Sequence, residues 1–144
     1  MEATQLQYVT ELRTALTRLI KKLRKESATG QQLSLTERST LVLLQQHTSL
    51  QPTELAAMEK ITNQSMSQIL AHLLELGYIN RTASETDKRK AIITLSAKGD
   101  EILKQVRSER DKWLAQAITA TCTPQEQELL KQIIAPLEKI VEFE

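Results

Sequence analysis

The sequence predicts a mainly α fold carrying one small β-hairpin, and three observations support that class. Apolar residues recur at threes and fours near both ends of the chain, two short helical segments follow each other closely near the middle, and two β-prone runs bracket the charged stretch "SETDKRK". At 144 residues the chain has the length of one domain with a single core, so residues 1–144 are read as one unit. Hydrophobic residues at 40% make it too apolar for a disordered chain. The only aromatic side chains are Tyr8, Tyr78, Trp113 and Phe143, so the core is expected to be aliphatic.

Six helix-like segments and one pair of strands are expected along the chain. Leu6, Val9, Leu12, Leu16, Leu19 or Ile20, and Leu23 draw a wide apolar stripe on a first helix expected to end near Gly30. Ser34 and Glu37 stand at capping-box spacing ahead of an apolar run to Leu44, which marks a second helix. Pro52 suits the first turn of a short third helix, because its missing N–H costs nothing there. A fourth helix runs from Thr62 as N-cap to Gly77 as terminator. "YINRTAS" and "AIITL" read as the strands of a hairpin with the charged stretch at its tip. "LSAKGDEIL" opens a fifth helix, and Thr123, Pro124 and Glu126 cap a sixth, whose Leu129, Leu130, Ile133, Ile134, Leu137, Ile140 and Val141 share one side. Pro136 lies inside this last segment, so a kink or break near Ile134 is expected.

Charge is distributed unevenly behind a net value of +1. Lys60, Arg81, Lys88, Arg89, Lys90 and Lys98 face only Glu75, Glu85 and Asp87 between residues 60 and 98, whereas the last helix holds Lys131 and Lys139 against five glutamates. The middle of the chain attracts polyanions and its end repels them. On the fourth helix, Met66, Ile69, Leu70 and Leu73 fall on one side and Gln64, Gln68, Ala71 and Glu75 on the other, flanked by Ser65, Ser67 and His72. An amide and hydroxyl face can read base edges, although a polar face is also what any half-buried helix presents. Two short helices followed at once by a ribbon with a basic tip make a winged helix-turn-helix.

The chain resembles the MarR family of bacterial transcription regulators. "ELAAMEKITNQSMSQILAHLLELGYINR", "SETDKRKAIITL" and "LSAKGDEIL" carry the likeness in order and spacing, and Asp87-Lys88-Arg89 stands where the family has its Asp-x-Arg wing signature. The resemblance implies a winged helix-turn-helix over about 34–96, flanked by dimerisation helices over about 1–30 and 97–144. It implies a homodimer on a pseudo-palindromic double-stranded DNA operator, acting as a repressor. Thr62, Asn63, Gln64, Ser65, Ser67, Gln68, His72 and Arg81 would contact DNA, with Arg89 entering the minor groove, Asp87 orienting it, and Lys88 and Lys90 on phosphates. It also permits a small aromatic or anionic effector between the dimerisation helices and the winged helix, for which His47, Arg110 and Trp113 are the candidate lining residues.

Dimerisation has an argument independent of the family. Both terminal stripes are too wide for a small winged-helix domain to cover, and an isologous dimer would bury them; packing of the two helices within one chain is the alternative. One cysteine forms no internal disulfide and no stretch is apolar enough to span a membrane, so a cytoplasmic protein is expected. Cys122 reads as a cap residue rather than a redox sensor, and two histidines with one cysteine make no metal-ligand cluster. With only Gly30, Gly77 and Gly99, the chain lacks a phosphate-cradling loop, and no nucleophile elbow or metal motif points to an enzyme or a cofactor. A winged helix used only for protein interaction is the competing class, and the Lys88-Arg89-Lys90 run argues against it.

Overall fold

The computed structural model describes residues 2–144, and within them the chain forms seven helices and two strands. They are α1 (Ala3–Lys25), α2 (Ala28–Gln31), α3 (Leu35–Gln46), α4 (Pro52–Glu59), α5 (Asn63–Glu75), β1 (Ile79–Ala83), β2 (Ala91–Leu95), α6 (Ala97–Thr121) and α7 (Pro124–Val141). The class is the predicted one, a helical chain with a single hairpin. The helix count differs by one, because the first helix stops at Lys25 instead of near Gly30. Ser27 causes the break. Its fully buried hydroxyl accepts from the Gly30 N–H at 2.9 Å, which caps the one-turn α2, and donates to Glu109 of α6 at 2.6 Å. Thr29 reaches the same carboxylate at 2.7 Å, so α2 is a clamp between the end of α1 and the middle of α6.

Local chemistry sets the other boundaries as the residues suggest. Ser34 accepts from the Glu37 N–H at 3.1 Å while Glu37 accepts from the Ser34 N–H at 2.9 Å, a reciprocal cap on α3. Glu54 closes the same kind of ring on Gln51 at the start of α4, where Pro52 occupies the first helical position. Thr62 accepts from the Ser65 N–H at 3.0 Å to begin α5, and Gly77, at φ +81°, turns the chain out of it where a side chain would strain. Thr123 and Glu126 cap α7 reciprocally. Pro136 does not break α7, which runs unbroken to Val141. Proline deletes a single N–H, and the carbonyl freed one turn earlier belongs to exposed Gln132, where water can satisfy it.

The core is aliphatic and lies under the helix-turn-helix. Leu41 and Leu44 of α3, Leu55 of α4, Met66, Leu70 and Leu73 of α5, Ile79 of β1, Ile93 of β2 and Leu103 of α6 meet there. The strands pair antiparallel from Ile79 with Leu95 to Ala83 with Ala91. Leu50, in the α3–α4 loop, exchanges both backbone hydrogen bonds with Ile93 at 3.1 and 2.8 Å, which ties the hairpin base to the helix-turn-helix. Neither α1 nor α7 contributes a buried residue: Leu6, Tyr8, Val9, Leu12, Leu19 and Ile20 on the first and Leu129, Ile133, Ile134, Ile140 and Val141 on the second are exposed.

Candidate nucleic-acid interface

Helix α5 presents the two faces its sequence implies. Met66, Leu70 and Leu73 are buried, whereas Asn63, Gln64, Ser65, Ser67, Gln68, His72 and Glu75 are exposed. Burial of the apolar face fixes the rotation of the helix, so the amides of Gln64 and Gln68, one turn apart, project together into solvent. Thr62 and Ser65 are partly committed already, since the Thr62 hydroxyl caps the helix and donates to Ser65 Oγ at 3.0 Å. Lys60 closes the turn before α5 in the left-handed conformation, at φ 56° and ψ 43°, a strained position for a residue with a Cβ. His72 is engaged on one edge: its Nδ1 meets Glu37 Oε2 of α3.

The hairpin tip separates its charges by role. Ser84 N–H donates to Lys90 O at 2.8 Å and Lys90 N–H to Asp87 O at 2.9 Å, so the tip is a closed turn. Asp87 accepts three bonds from Arg89: the backbone N–H at 3.1 Å and Nε at 3.2 Å on Oδ1, and Nη2 at 3.4 Å on Oδ2. The Arg89 side chain, followed by its backbone N–H, holds the Asp87 carboxyl below the usual carboxylate range. The Arg89 side chain is nevertheless 92% exposed, so the carboxylate restrains it without covering it. Arg81 on β1, with Lys88, Arg89 and Lys90, lines one open hollow beside the tip.

The three residues predicted to line an effector site do not share one. Arg110 borders a cavity of about 290 Å³ between α1, α3 and α6, with Leu23, Arg38, Val42, Leu103 and Leu114. His47 ends α3 and borders a different hollow, with Ser96 and Asp100. Nine residues of helix, roughly 13 Å at 1.5 Å each, separate its position from that of Arg38. Trp113 lines neither; Lys22 Nζ stands 5.9 Å from its ring centroid. The cavity has a partner that sequence reasoning missed, Arg38. The Nε atoms of Arg38 and Arg110 are both buried without a hydrogen-bond partner, and burial, then the nearby Arg24, pushes the Arg110 pKa down. No periodicity marks Arg38, whose role depends on the meeting of α3 and α6.

Comparison with known proteins agrees with this arrangement. Residues 33–91, from just before α3 into β2, match the family model described as MarR family. A protein of Mycobacterium bovis described as the uncharacterized HTH-type transcriptional regulator Mb0904 is 30% identical over 121 residues, covering 84% of this chain and 83% of its own. The crystal structure of a candidate transcriptional regulator from Pseudomonas aeruginosa PA01 superposes over the whole of both chains with a TM-score of 0.83 at 28% identity. A mutant of S. aureus MepR, solved bound to an oligodeoxyribonucleotide, shares the fold with a TM-score of 0.72 at 19% identity, over 94% of this chain and 98% of its own.

Proposed function

This chain belongs to the MarR family of helix-turn-helix transcription regulators, and from that premise we propose that it is a homodimeric transcription repressor that binds double-stranded DNA sequence-specifically and is relieved by a small organic anion. Residues 62–76 lie in the major groove and the wing, 84–90, in the minor groove. Gln64 and Gln68 exchange paired hydrogen bonds with base edges, Thr62, Asn63, Ser65 and Ser67 contact bases or phosphates near the helix start, and Arg81, Lys88 and Lys90 serve phosphates. Arg89 enters a narrow minor groove, where negative potential is concentrated.

The observation that carries this reading is the Asp87–Arg89 arrangement: a guanidinium held by two bonds to one carboxylate, which also accepts from the Arg89 backbone N–H, on a side chain still 92% exposed. A solvated surface arginine has no need of such restraint. A groove-entering one loses less side-chain entropy on binding when it is already aimed.

The dimer rests on the open apolar stripes of α1 and α7, which a two-fold axis would bury. Such an axis sets the two α5 helices about one duplex turn, roughly 34 Å, apart. The domain reading follows, with about 1–30 and 97–144 as dimerisation helices and about 34–96 as the DNA-binding region. The anionic effector is supported by the two unpartnered guanidinium nitrogens of Arg38 and Arg110, at a cavity that Arg107 also lines against the one carboxylate of Asp111; a bound carboxylate or phenolate would supply the missing acceptors.

The test is binding to duplexes from the chain's own upstream DNA at several salt concentrations. A near-palindrome is expected to bind in the nanomolar range and to lose on the order of 10³-fold in affinity between 50 and 200 mM salt. Equal affinity for a scrambled duplex would reject sequence-specific regulation.

A further inference from the structure

The recognition helix is fastened to α3 by a contact that the roles above leave unused. His72 Nδ1 meets Oε2 of Glu37, whose side chain is 10% exposed, while the imidazole keeps 48% of its surface open. The other carboxylate oxygen, Oε1, accepts from the Ser34 N–H at 2.9 Å. Both oxygens are therefore assigned, and Glu37 cannot turn from the imidazole without uncapping α3. Burial pushes this carboxyl up, but the Ser34 N–H, the His72 ring and the Ser34 hydroxyl together outweigh it and hold the group below its ordinary value. The partner at Nδ1 is thus an ionised acceptor with no proton to give.

An acceptor at Nδ1 makes that nitrogen the protonated one and leaves Nε2 on the open side of the ring. In a neutral ring Nε2 then carries a lone pair, which repels a phosphate. In the imidazolium it carries an N–H, which donates to one.

The surrounding charges do not compete for the ring. Glu37 faces it from α3. On α4, Glu54 is turned to Gln51 and Glu59 accepts from Ser39 at 2.5 Å. Lys98 of α6 donates to Leu76 O at 2.9 Å. Glu75 on α5, Lys60 in the preceding turn and Arg81 on β1 form no ion pair with His72 or Glu37 among the described residues.

We propose that Glu37 is a positioning residue for DNA recognition, holding His72 through Nδ1 so that its imidazolium Nε2–H donates to a backbone phosphate flanking the recognition helix, with uptake of a proton from solvent on binding. The proton balance is simple: a ring neutral before binding gains one proton at Nε2, and no covalent bond changes. Two anions then flank the ring, Glu37 on one edge and the phosphate on the other.

This proposal rests on the DNA-binding reading, and the experiment separates the two. Titration calorimetry of the full chain with its upstream near-palindromic duplex, near pH 8 and in buffers of different ionisation enthalpy, counts protons taken up. Parallel affinities between pH 6 and 8.5 are measured at fixed ionic strength. The wild type is expected to take up as much as about one proton per protomer and to bind up to about tenfold tighter per protomer for each pH unit lowered. His72→Gln and Glu37→Gln should both flatten the profile and reduce uptake, with thermal melts reporting that each is folded. His47→Gln, which alters the chain's other histidine, should keep both. Tight binding without proton uptake, or uptake that survives His72→Gln, overturns the proposal and leaves the regulator reading standing. Failure to bind any duplex overturns both.

Discussion

Replacing Gly99 with alanine should destabilise the protein by about 3 kcal/mol, although alanine is the better helix former. A Cβ built on Gly99 would lie 2.1 Å from the Tyr78 carbonyl oxygen, 2.7 Å from Leu95 Cδ1 and 3.0 Å from the Tyr78 carbonyl carbon. Non-bonded heavy atoms rest about 3.5 Å apart, so the start of α6 must retreat by on the order of 1 Å. The retreat acts on a junction held by short bonds: Ser96 N–H to Tyr78 O at 3.1 Å and the Ser96 hydroxyl to Gly77 O at 2.6 Å. Overpacking costs about 1–3 kcal/mol and each weakened hydrogen bond about 1 kcal/mol, against roughly 1 kcal/mol gained from helix propensity.

The assay is equilibrium urea unfolding at one fixed protein concentration, since a subunit equilibrium would shift the midpoint by mass action. In a parallel thermal melt, a drop of about 3 kcal/mol should lower the midpoint by roughly 10 °C for a chain of this size. An unchanged or raised stability would contradict the close packing at Gly99, because helix propensity alone predicts a gain. Such a result would mean that α6 does not approach the backbone at Tyr78 this closely.

Ser27→Ala should cost about 2 kcal/mol in the same unfolding assay, since it removes the cap of α2 and leaves Glu109 without its closest partner. Glu37→Gln should destabilise the protein at neutral pH, and the gap from wild type should close in acid. A carboxyl whose folded value is depressed contributes stability that is present above its unfolded value and lost as pH falls through the folded one, so urea unfolding across that range checks the sign. Arg89→Ala should weaken operator binding mainly at flanking A·T-rich positions, read by footprinting, and Asp87→Ala should weaken it by a smaller factor, because the guanidinium remains but is no longer aimed. Ile133→Lys should shift sedimentation at micromolar concentration toward monomer by placing a charge on the open face of α7.

Sequence alone determined the elements whose causes are local. Caps at Ser34, Thr62 and Thr123, the proline at α4, the terminator at Gly77 and the two-sided α5 depend on neighbours within one or two turns, so spacing reveals them. The hairpin was legible from its two β-prone runs, whereas the hold of Asp87 on Arg89 was expected only from the family resemblance, although the contact closes within the turn itself. The family resemblance, carried by these segments, reached the correct family.

Tertiary structure decided what depends on distant partners. The break at Ser27 needs Glu109, eighty-two residues away, and the cavity between α1, α3 and α6 needs Arg38 of α3 and Arg110 of α6 to line it together. The hold on His72 needs Glu37, which in sequence is only a capping residue. Each brings polar groups together across packed elements, where the geometry of burial selects the pair. Hydrophobic periodicity reports which face turns inward, but not which polar group it will find there.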